Sequence, residues 1–175
     1  WKDMGLNRVT MSLDTLRSNR QEQITRSFTP LDTVIRAIEI AKDAGLNPVK
    51  VNTVVMRGVN DDEILDFAAF AIKHEVQMRL IEFMAIDASR NWSMQKVVPA
   101  SEILQTLEGT FTVERNSDSP SSTSMNYTLD HGRGQIGIIA SVTQSFCHGC
   151  NRLRILADGT VRPCLFSDDE WSIRP

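Results

Sequence analysis

Blocks of apolar and polar residues along the first half of the chain predict strand, helix, strand, helix, strand. Residues 8–14, 49–55 and 77–84 are short, largely apolar runs of strand length. Between them, residues 29–45 and the stretch that begins at residue 60 repeat their apolar positions every three or four residues, as amphipathic helices do. Strands that alternate with helices pair in parallel through right-handed crossovers. The pattern therefore predicts an α/β fold around a parallel sheet, which stops too soon for a full eight-stranded barrel.

Local signals predict where these helices begin and end. In the first helix, Thr29 has the chemistry of an N-cap, Pro30 suits the first position, and Gly45 suits the stop. In the second helix, Asn60 and Glu63 have the spacing of a capping box. A third, shorter helix is predicted over about residues 100–108.

The first two predicted strands carry polar residues on one face, namely Thr10, Ser12, Asp14, Lys50 and Asn52. In the third strand, Arg79 and Glu82 fall on opposite faces, so at most one of them shares this orientation. An open sheet with one partly wet face would show such a pattern, and so would a curved sheet that lines a polar cavity. A lysine beside an asparagine in mid-strand favours the cavity.

The second half of the chain has a different character. Residues 109–134 include the low-complexity segment ERNSDSPSSTSMN and are predicted to be a polar surface loop or linker. Residues 135–142 predict a buried strand. The segment RLRILADGTVRPC then predicts a hairpin around Asp158 and Gly159. We therefore expect a small β-rich region over residues 135–175.

Composition narrows the class of protein. The chain has 175 residues, 41% of them apolar, and a net charge of −3. These values suit one domain with a hydrophobic core, and no apolar run approaches the roughly 20 residues of a membrane-spanning helix. The mild acidity argues against a general nucleic-acid binder. Because the sequence begins at Trp1 rather than at a methionine, we interpret it as a fragment.

The three cysteines of the chain, Cys147, Cys150 and Cys164, lie close together. An odd and clustered set is unlike a secreted disulfide framework and indicates a reducing compartment. The spacing allows a zinc site, an iron–sulfur cluster, or redox-active or inert thiols, although a redox pair should open a helix and a strand pattern follows here. Zinc would need a fourth ligand, and the candidates are His148, His131 and His74.

An iron–sulfur cluster would account for the missing fourth cysteine. Three thiolates would bind three irons of a four-iron cluster and leave the fourth iron open to a substrate atom. Arg152 and Arg154 lie two positions apart on a predicted strand, so both should face the same side. Guanidinium groups suit phosphate or carboxylate, although ordinary surface arginines of a hairpin would have the same spacing. The residues alone therefore indicate a metal site beside an anion site.

Four segments resemble, in order, the motifs of a known family: SLDTL, VKVNTVVMRGVNDDE, RLIEFM and FCHGCNRLRILADGTVRPCLF. They are similar to the molybdenum cofactor biosynthesis protein A family, the GTP 3′,8-cyclases, and most of all to its eukaryotic branch. This family belongs to the radical S-adenosylmethionine (SAM) enzymes. The resemblance implies that residues 1–108 are the C-terminal part of a partial parallel (β/α) TIM-type barrel. Residues 135–175 would then carry the iron–sulfur site.

The resemblance also implies a reaction for the intact protein. An N-terminal four-iron cluster cleaves SAM, and the resulting radical removes a hydrogen atom from the ribose C3′ of GTP. C3′ then bonds to C8 of guanine, which gives (8S)-3′,8-cyclo-7,8-dihydroguanosine 5′-triphosphate, the first step of molybdenum cofactor biosynthesis. A second four-iron cluster near the C-terminus contacts the guanine through its open iron.

Partners and compartment follow from the same resemblance. The implied partners are an electron donor, the cyclic pyranopterin monophosphate synthase that acts next, and a second copy of the chain, with no nucleic acid or membrane. The compartment would be the mitochondrial matrix in a eukaryote and the cytoplasm otherwise.

The family's site residues are carried over by motif. The ligands of the second cluster are matched by Cys147, Cys150 and Cys164. The GTP-binding positions are matched by Lys50, Arg79, Arg152, Leu153 and Arg154. The SAM-binding positions are matched by Ser12 and Met84. The CxxxCxxC motif of the first cluster and the family's C-terminal tail are absent from this sequence, so we expect the fragment alone to be unable to generate the radical.

Two other functions stay open at the level of sequence. One is a radical SAM enzyme that modifies a peptide and uses an auxiliary cluster. The other is a zinc-stabilised binding module without chemistry. Arginines beside the cysteines favour a phosphorylated small molecule over a peptide, and the brown colour of a cluster would separate it from colourless zinc.

Overall fold

The computed structural model describes residues 1–86, 92–166 and 169–174. Its main sheet has six strands: β1 (Val9–Ser12), β2 (Val49–Val55), β3 (Gln77–Glu82), β4 (Val113–Arg115), β5 (Met125–Leu129) and β6 (Gly134–Ile139). They are ordered β1–β2–β3–β6–β5–β4 across the sheet. The first four in this order are parallel, whereas β5 and β4 pair antiparallel. The predicted α/β class with a parallel-rich sheet is confirmed.

Within the described residues, four α-helices accompany this sheet: α1 (Ser18–Thr25), α2 (Leu31–Asp43), α3 (Ile64–His74) and α4 (Ala100–Glu108). Helix α3 contacts β3, β6 and α4, and α2 contacts β2. The apolar faces of α2, α3 and α4 pack against the sheet because these three helices repeat their apolar residues at helical spacing. The largest fully buried side chains include Phe67, Met78, Leu80, Ile103, Ile136 and Ile138.

The predicted end of the first helix is confirmed, whereas its predicted start and the capping box of the second helix are wrong. Helix α2 begins at Leu31, and Pro30 rather than Thr29 is its N-cap. Gly45 stops α2 with a φ of 74°, and the amide of Leu46 donates to Ala41 O over 3.1 Å. Asn60 makes no side-chain cap; instead it is fully buried and donates to the carbonyl oxygens of Asp14 and Val54. Glu63 is also buried and binds the segment after β1. Both side chains serve tertiary contacts that local spacing does not reveal.

The structure differs from the prediction of a polar loop over residues 109–134, because it places β4 and β5 within that range. Val113, Met125, Tyr127 and Leu129 belong to the hydrophobic core or pack against it. Polar neighbours conceal this alternation in the sequence. Only residues 116–124 connect the two strands as a loop.

The predicted hairpin is confirmed and belongs to a second, three-stranded antiparallel sheet. This sheet contains β7 (Arg154–Ile155), β8 (Thr160–Arg162) and β9 (Trp171–Ser172). Asp158 accepts a 2.9 Å hydrogen bond from Thr160 N, and Gly159 has a φ of 83°, as the turn requires. Residues 135–175 thus contribute to both sheets, and their division from the rest as a domain stays a prediction.

No helix among residues 1–86, 92–166 and 169–174 has the length and apolar character needed to cross a membrane.

Candidate active site

A cavity of about 300 Å³ lies between the main sheet and the segment that carries the cysteines. Its wall on the side of β2 and β3 includes Asn52, Arg79, Ile81 and Met84. The opposite wall includes Cys147, Cys150, Cys164, Arg152 and Arg154. Its volume is at the lower end of the range for small-molecule sites. Most of the residues that the motifs single out therefore line the same cavity.

Arg79 is the residue of β3 that shares the polar face of β1 and β2. It is in register with Asn52, whose Oδ1 accepts a 2.9 Å hydrogen bond from Arg79 Nε. Arg79 Nη2 donates to Thr10 Oγ1 over 3.4 Å. Glu82 points to the other side of the sheet, as its strand position predicts. The polar face thus continues across three parallel strands and reaches the cavity at Asn52 and Arg79.

Positive charge accumulates on this face. Burial lowers the pKa of the half-buried Arg79 guanidinium. The pKa of Lys50 is also lowered, first by burial and then by the neighbouring charges of Arg79 and Arg8. Like charges held together in a partly buried place favour an anionic ligand, because the ligand relieves their repulsion.

Three residues predicted to bind ligands lie outside the lining of the cavity. Lys50 precedes Asn52 by two positions on β2 and therefore shares its face, next to Thr10. Ser12 ends β1, is exposed, and pairs in register with Asn52. Leu153 is exposed between the two arginines. Ser12 and Lys50 are thus close neighbours of the cavity wall along the same face.

The three cysteines are free thiols. Cys147 opens a short 3-10 turn, Cys147–Gly149, which the amide of Cys150 closes by donating to Cys147 O over 3.2 Å. The pKa of Cys150 is lowered, first by the backbone N–H of Arg152, then by its guanidinium, and further by the charge of Arg154. A lower pKa favours the thiolate, which is the form that binds metal.

Within the described part of the chain, no three His, Cys, Asp or Glu side chains are arranged around a point where one metal ion could bind. Zinc needs such convergence, whereas each thiolate of a four-iron cluster binds a different iron atom. His74 pairs with Glu39, and His131 Nδ1 lies 3.0 Å from Glu114 Oε1. Neither histidine lines the cavity. His148 is exposed in the turn between the first two cysteines.

Both predicted arginines face the cavity, although β7 begins only at Arg154 and Arg152 precedes it. The guanidinium carbon of Arg152 lies 5.2 Å from the ring centroid of Phe146, within the range of a cation–π contact. Phe146 lines the cavity too. Its position directly before Cys147 was the only sequence signal for this aromatic residue, and the motif analysis assigned it no role.

The loop over residues 116–124 packs on the cysteine turn. Thr123 lines the cavity, and a Cβ atom on Gly149 would lie 2.0 Å from Pro120 O. Asp118 holds the loop in place, since its Oδ2 accepts a 3.1 Å hydrogen bond from Asn126 N on β5. Low complexity in this loop gave no sequence signal for such a contact.

Comparison with known proteins agrees with this arrangement. Residues 76–175 match the Molybdenum Cofactor Synthesis C family model, and residues 1–71 match the radical SAM superfamily. A protein named "GTP 3′,8-cyclase, mitochondrial" from Arabidopsis thaliana is 42% identical over 174 residues, which cover 99% of this chain and 44% of that protein.

Bacterial relatives show the same level of similarity. Proteins named "GTP 3′,8-cyclase" are 42% identical in Streptomyces coelicolor and 41% identical in Aquifex aeolicus, each over 99% of this chain and 51% and 53% of their own lengths. The chain thus spans about half the length of the curated relatives it matches. Since the match over residues 76–175 alone covers more than half of the sequence, the chain belongs to the Molybdenum Cofactor Synthesis C family.

Proposed function

We propose that the protein containing this chain is a GTP 3′,8-cyclase that catalyses the first step of molybdenum cofactor biosynthesis with SAM as co-substrate. The observation that carries this proposal is a single cavity that combines three free cysteines with Arg79, Arg152 and Arg154. The names of the relatives support the same reaction. The parallel order β1–β2–β3–β6 supports a partial (β/α) barrel whose polar inner face binds the substrates.

The donor set in the cavity fits a four-iron cluster. Cys147, Cys150 and Cys164 would hold it, since all three are free and line one cavity. The lowered pKa of Cys150 favours the ligating thiolate. When bound, the cluster supplies an open iron site that can accept a nitrogen or oxygen atom of the guanine.

The side chains of this chain would bind and orient the substrates. Arg152 and Arg154 offer guanidinium groups to the phosphates beside the cysteines, and Arg79 and Lys50 add positive charge on the sheet side. Asn52 orients Arg79 through the 2.9 Å bond to its Nε. We assign SAM contacts to Ser12 and Met84, and a GTP contact to Leu153, on the motif match.

The rival zinc module has less support. It needs a fourth ligand, and the described residues that line the cavity with the three cysteines include no histidine, aspartate or glutamate. A peptide-modifying radical enzyme does not explain why three arginines line the cavity. Phosphate groups do explain them.

Partners and compartment complete the proposal. An electron donor, the cyclic pyranopterin monophosphate synthase and a second copy of the protein are the expected partners. We place the protein in the mitochondrial matrix if its source is eukaryotic, as the name of the Arabidopsis relative supports, and in the cytoplasm otherwise.

The direct test uses the full-length protein, reconstituted without oxygen, with GTP that carries deuterium at C3′. We expect deuterium in the 5′-deoxyadenosine and a cyclised nucleotide of unchanged phosphate content. Arg154→Ala should raise the KM for GTP at least about tenfold, because it removes one charge-assisted hydrogen bond to the nucleotide. Arg133→Ala, an exposed arginine outside the lining, is the matched control and should leave KM unchanged. Absence of deuterium transfer would exclude the cyclase.

A further inference from the structure

Glu82, the last residue of β3, is a fully buried carboxylate to which the motifs give no role. Its Oε1 accepts a 2.8 Å hydrogen bond from the backbone N–H of Ala100 and a bond from the hydroxyl of Thr143. Its Oε2 accepts bonds of 2.7 and 2.8 Å from the backbone N–H groups of Val142 and Thr143. One buried carboxylate thus satisfies three backbone donors and a hydroxyl.

The donors belong to parts of the chain that are far apart in sequence. Ala100 is the first residue of α4, so the carboxylate also faces the positive end of a helix dipole. Val142 and Thr143 lie in the irregular segment that follows β6. Glu82 therefore joins β3, the start of α4 and this segment at one point.

Both ends of the segment over residues 141–147 form part of the cavity wall. Ser141 lines the cavity at one end, and Ser145, Phe146 and Cys147 line it at the other. Val142 and Thr143, between these ends, are the residues that Glu82 binds. The segment lies outside the strands, and three of its polar groups, Val142 N, Thr143 N and Thr143 Oγ1, donate to this one carboxylate.

The strand that carries Glu82 supplies the facing wall. Ile81 precedes Glu82 and Met84 follows it, and both line the cavity. Because charge-assisted hydrogen bonds to a buried carboxylate are short and directional, they fix the distance between these two walls more closely than apolar contacts would.

We propose that Glu82 is a positioning residue that sets the place of Phe146 and Cys147 relative to Arg79 and Met84. It acts through the backbone of Val142 and Thr143 and touches neither the substrate nor the cluster. The expected effect of Glu82 on iron and GTP binding rests on the proposed function. Its effect on the order of residues 141–147 does not.

The test compares four variants of the full-length protein. Glu82→Gln keeps the size of the side chain but replaces one acceptor oxygen by a donor, which then faces an N–H group. Thr143→Val removes only the hydroxyl bond, and Thr143→Ser restores it. Glu63→Gln is the matched control, because Glu63 is equally buried and accepts from Thr15 Oγ1, Leu16 N and Arg20, away from the cysteine segment.

Three measurements separate positioning from general stability. The first is the rate of hydrogen exchange of the amides in residues 141–147. The second is the Cys164-dependent iron, which is the difference in iron per chain between each variant and the same variant with Cys164→Ala added. The third is the Kd for GTP. For Glu82→Gln we expect exchange at least tenfold faster, less than half of the Cys164-dependent iron, and GTP binding at least tenfold weaker. Thr143→Val should show smaller changes in the same direction, and Thr143→Ser should match the wild type.

The control decides between the alternatives. Glu63→Gln should lower the melting temperature but leave all three measurements at wild-type values. If Glu82→Gln also lowers only the melting temperature, the positioning role is wrong. If the wild type binds neither Cys164-dependent iron nor GTP, the proposed function fails. Hydrogen exchange then decides alone whether Glu82 orders the segment.

Discussion

At the scale of single residues, Arg79 depends on the small size of the residue beside it. Gly137 on β6 is in register with Arg79 on β3. A Cβ atom there would lie 3.1 Å from Arg79 Cγ and 2.3 Å from Ser124 Oγ. Glycine is therefore needed at this position for space, and its absence of a side chain lets the guanidinium cross the sheet toward Asn52.

We predict that Gly137→Ala destabilises the protein and disturbs Arg79. Overpacking of this kind costs about 1–3 kcal/mol, and the change should appear in urea denaturation. Gly109→Ala is the control, since a Cβ there has ordinary contacts of 3.5 and 3.6 Å, and it should be neutral or slightly stabilising. Equal stability of the two variants would contradict the account of Gly137.

Lys50, for which we propose a role in GTP binding, illustrates a conflict between binding and stability. Burial, together with Arg79 and Arg8, lowers its pKa, which means that the fold disfavours its charge. We predict that Lys50→Met raises the free energy of unfolding by about 0.5–1 kcal/mol, as relief of strain at functional sites commonly does. The same change should weaken GTP binding at least about tenfold.

Calorimetry with GTP and urea denaturation of the same samples provide both values for Lys50→Met. The exposed Lys73 on α3 supplies the control for binding, and Lys73→Met should leave the affinity for GTP unchanged. Unaltered GTP affinity in Lys50→Met would show that the polar face is not part of the nucleotide site.

At the scale of elements, the turn over Cys147–Gly149 is shaped by the loop against which it packs. The backbone of Gly149 approaches Pro120 so closely that no side chain fits between them. The cysteine turn, β5 and the loop between β4 and β5 thus form one packed unit, held by the bond from Asn126 N to Asp118.

We predict that Gly149→Ala moves the turn and lowers the iron retained by the three cysteines, by half or more. Because the clash is with backbone, the turn itself has to shift. Iron per chain after reconstitution is the measurement. His148→Ala, in the same turn but exposed, should retain wild-type iron; loss of metal in that variant would instead indicate a histidine ligand.

A hydrogen bond between Glu39 on α2 and His74 on α3 joins the two helices. The His74 ring also stacks on Phe70, with ring centroids 4.1 Å apart. The hydrogen bond from His74 lowers the pKa of Glu39, and the positive charges of Lys42 and Lys73 lower it further. A lowered carboxyl pKa contributes stability that is present above the unfolded value near 4.3 and is lost as the pH falls through the folded value.

We therefore predict that Glu39→Gln costs about 0.2–1 kcal/mol at pH 6, as exposed pairs do, and that its difference from the wild type shrinks at pH 3–4. Urea denaturation at several pH values measures this difference. Glu22→Gln, on the exposed side of α1, should show no comparable pH dependence. A difference that stays constant with pH would rule out the pair as its source.

At the scale of the whole molecule, sequence reasoning located the regular elements with clean periodicity. The predicted strand at 49–55 and the predicted helix at 100–108 coincide with β2 and α4. Helix α1 was missed because its residues SNRQEQIT have almost no apolar stripe. It is held instead by ion pairs such as Arg20 with Asp62.

The candidate site was only partly accessible to sequence reasoning. Motifs and the polar strand face singled out the cysteines, the arginines and Lys50, and the structure brings most of them to one cavity. Glu82 could not be recognised, because its partners lie 18, 60 and 61 positions away. Strand alternation indicated which way it points but not what it binds.

The decisive experiment records the electron paramagnetic resonance spectrum of the full-length protein, prepared without oxygen, with and without GTP, and asks whether the three cysteines hold a cluster that contacts the substrate. Wild type and Cys164→Ala are compared, with iron and sulfide determined per chain. We expect one more four-iron cluster in the wild type than in the variant, and a GTP-dependent change in the signal of that extra cluster. Zinc in place of iron, or a spectrum that GTP leaves unchanged, would contradict this expectation and reduce the three cysteines to a structural clasp.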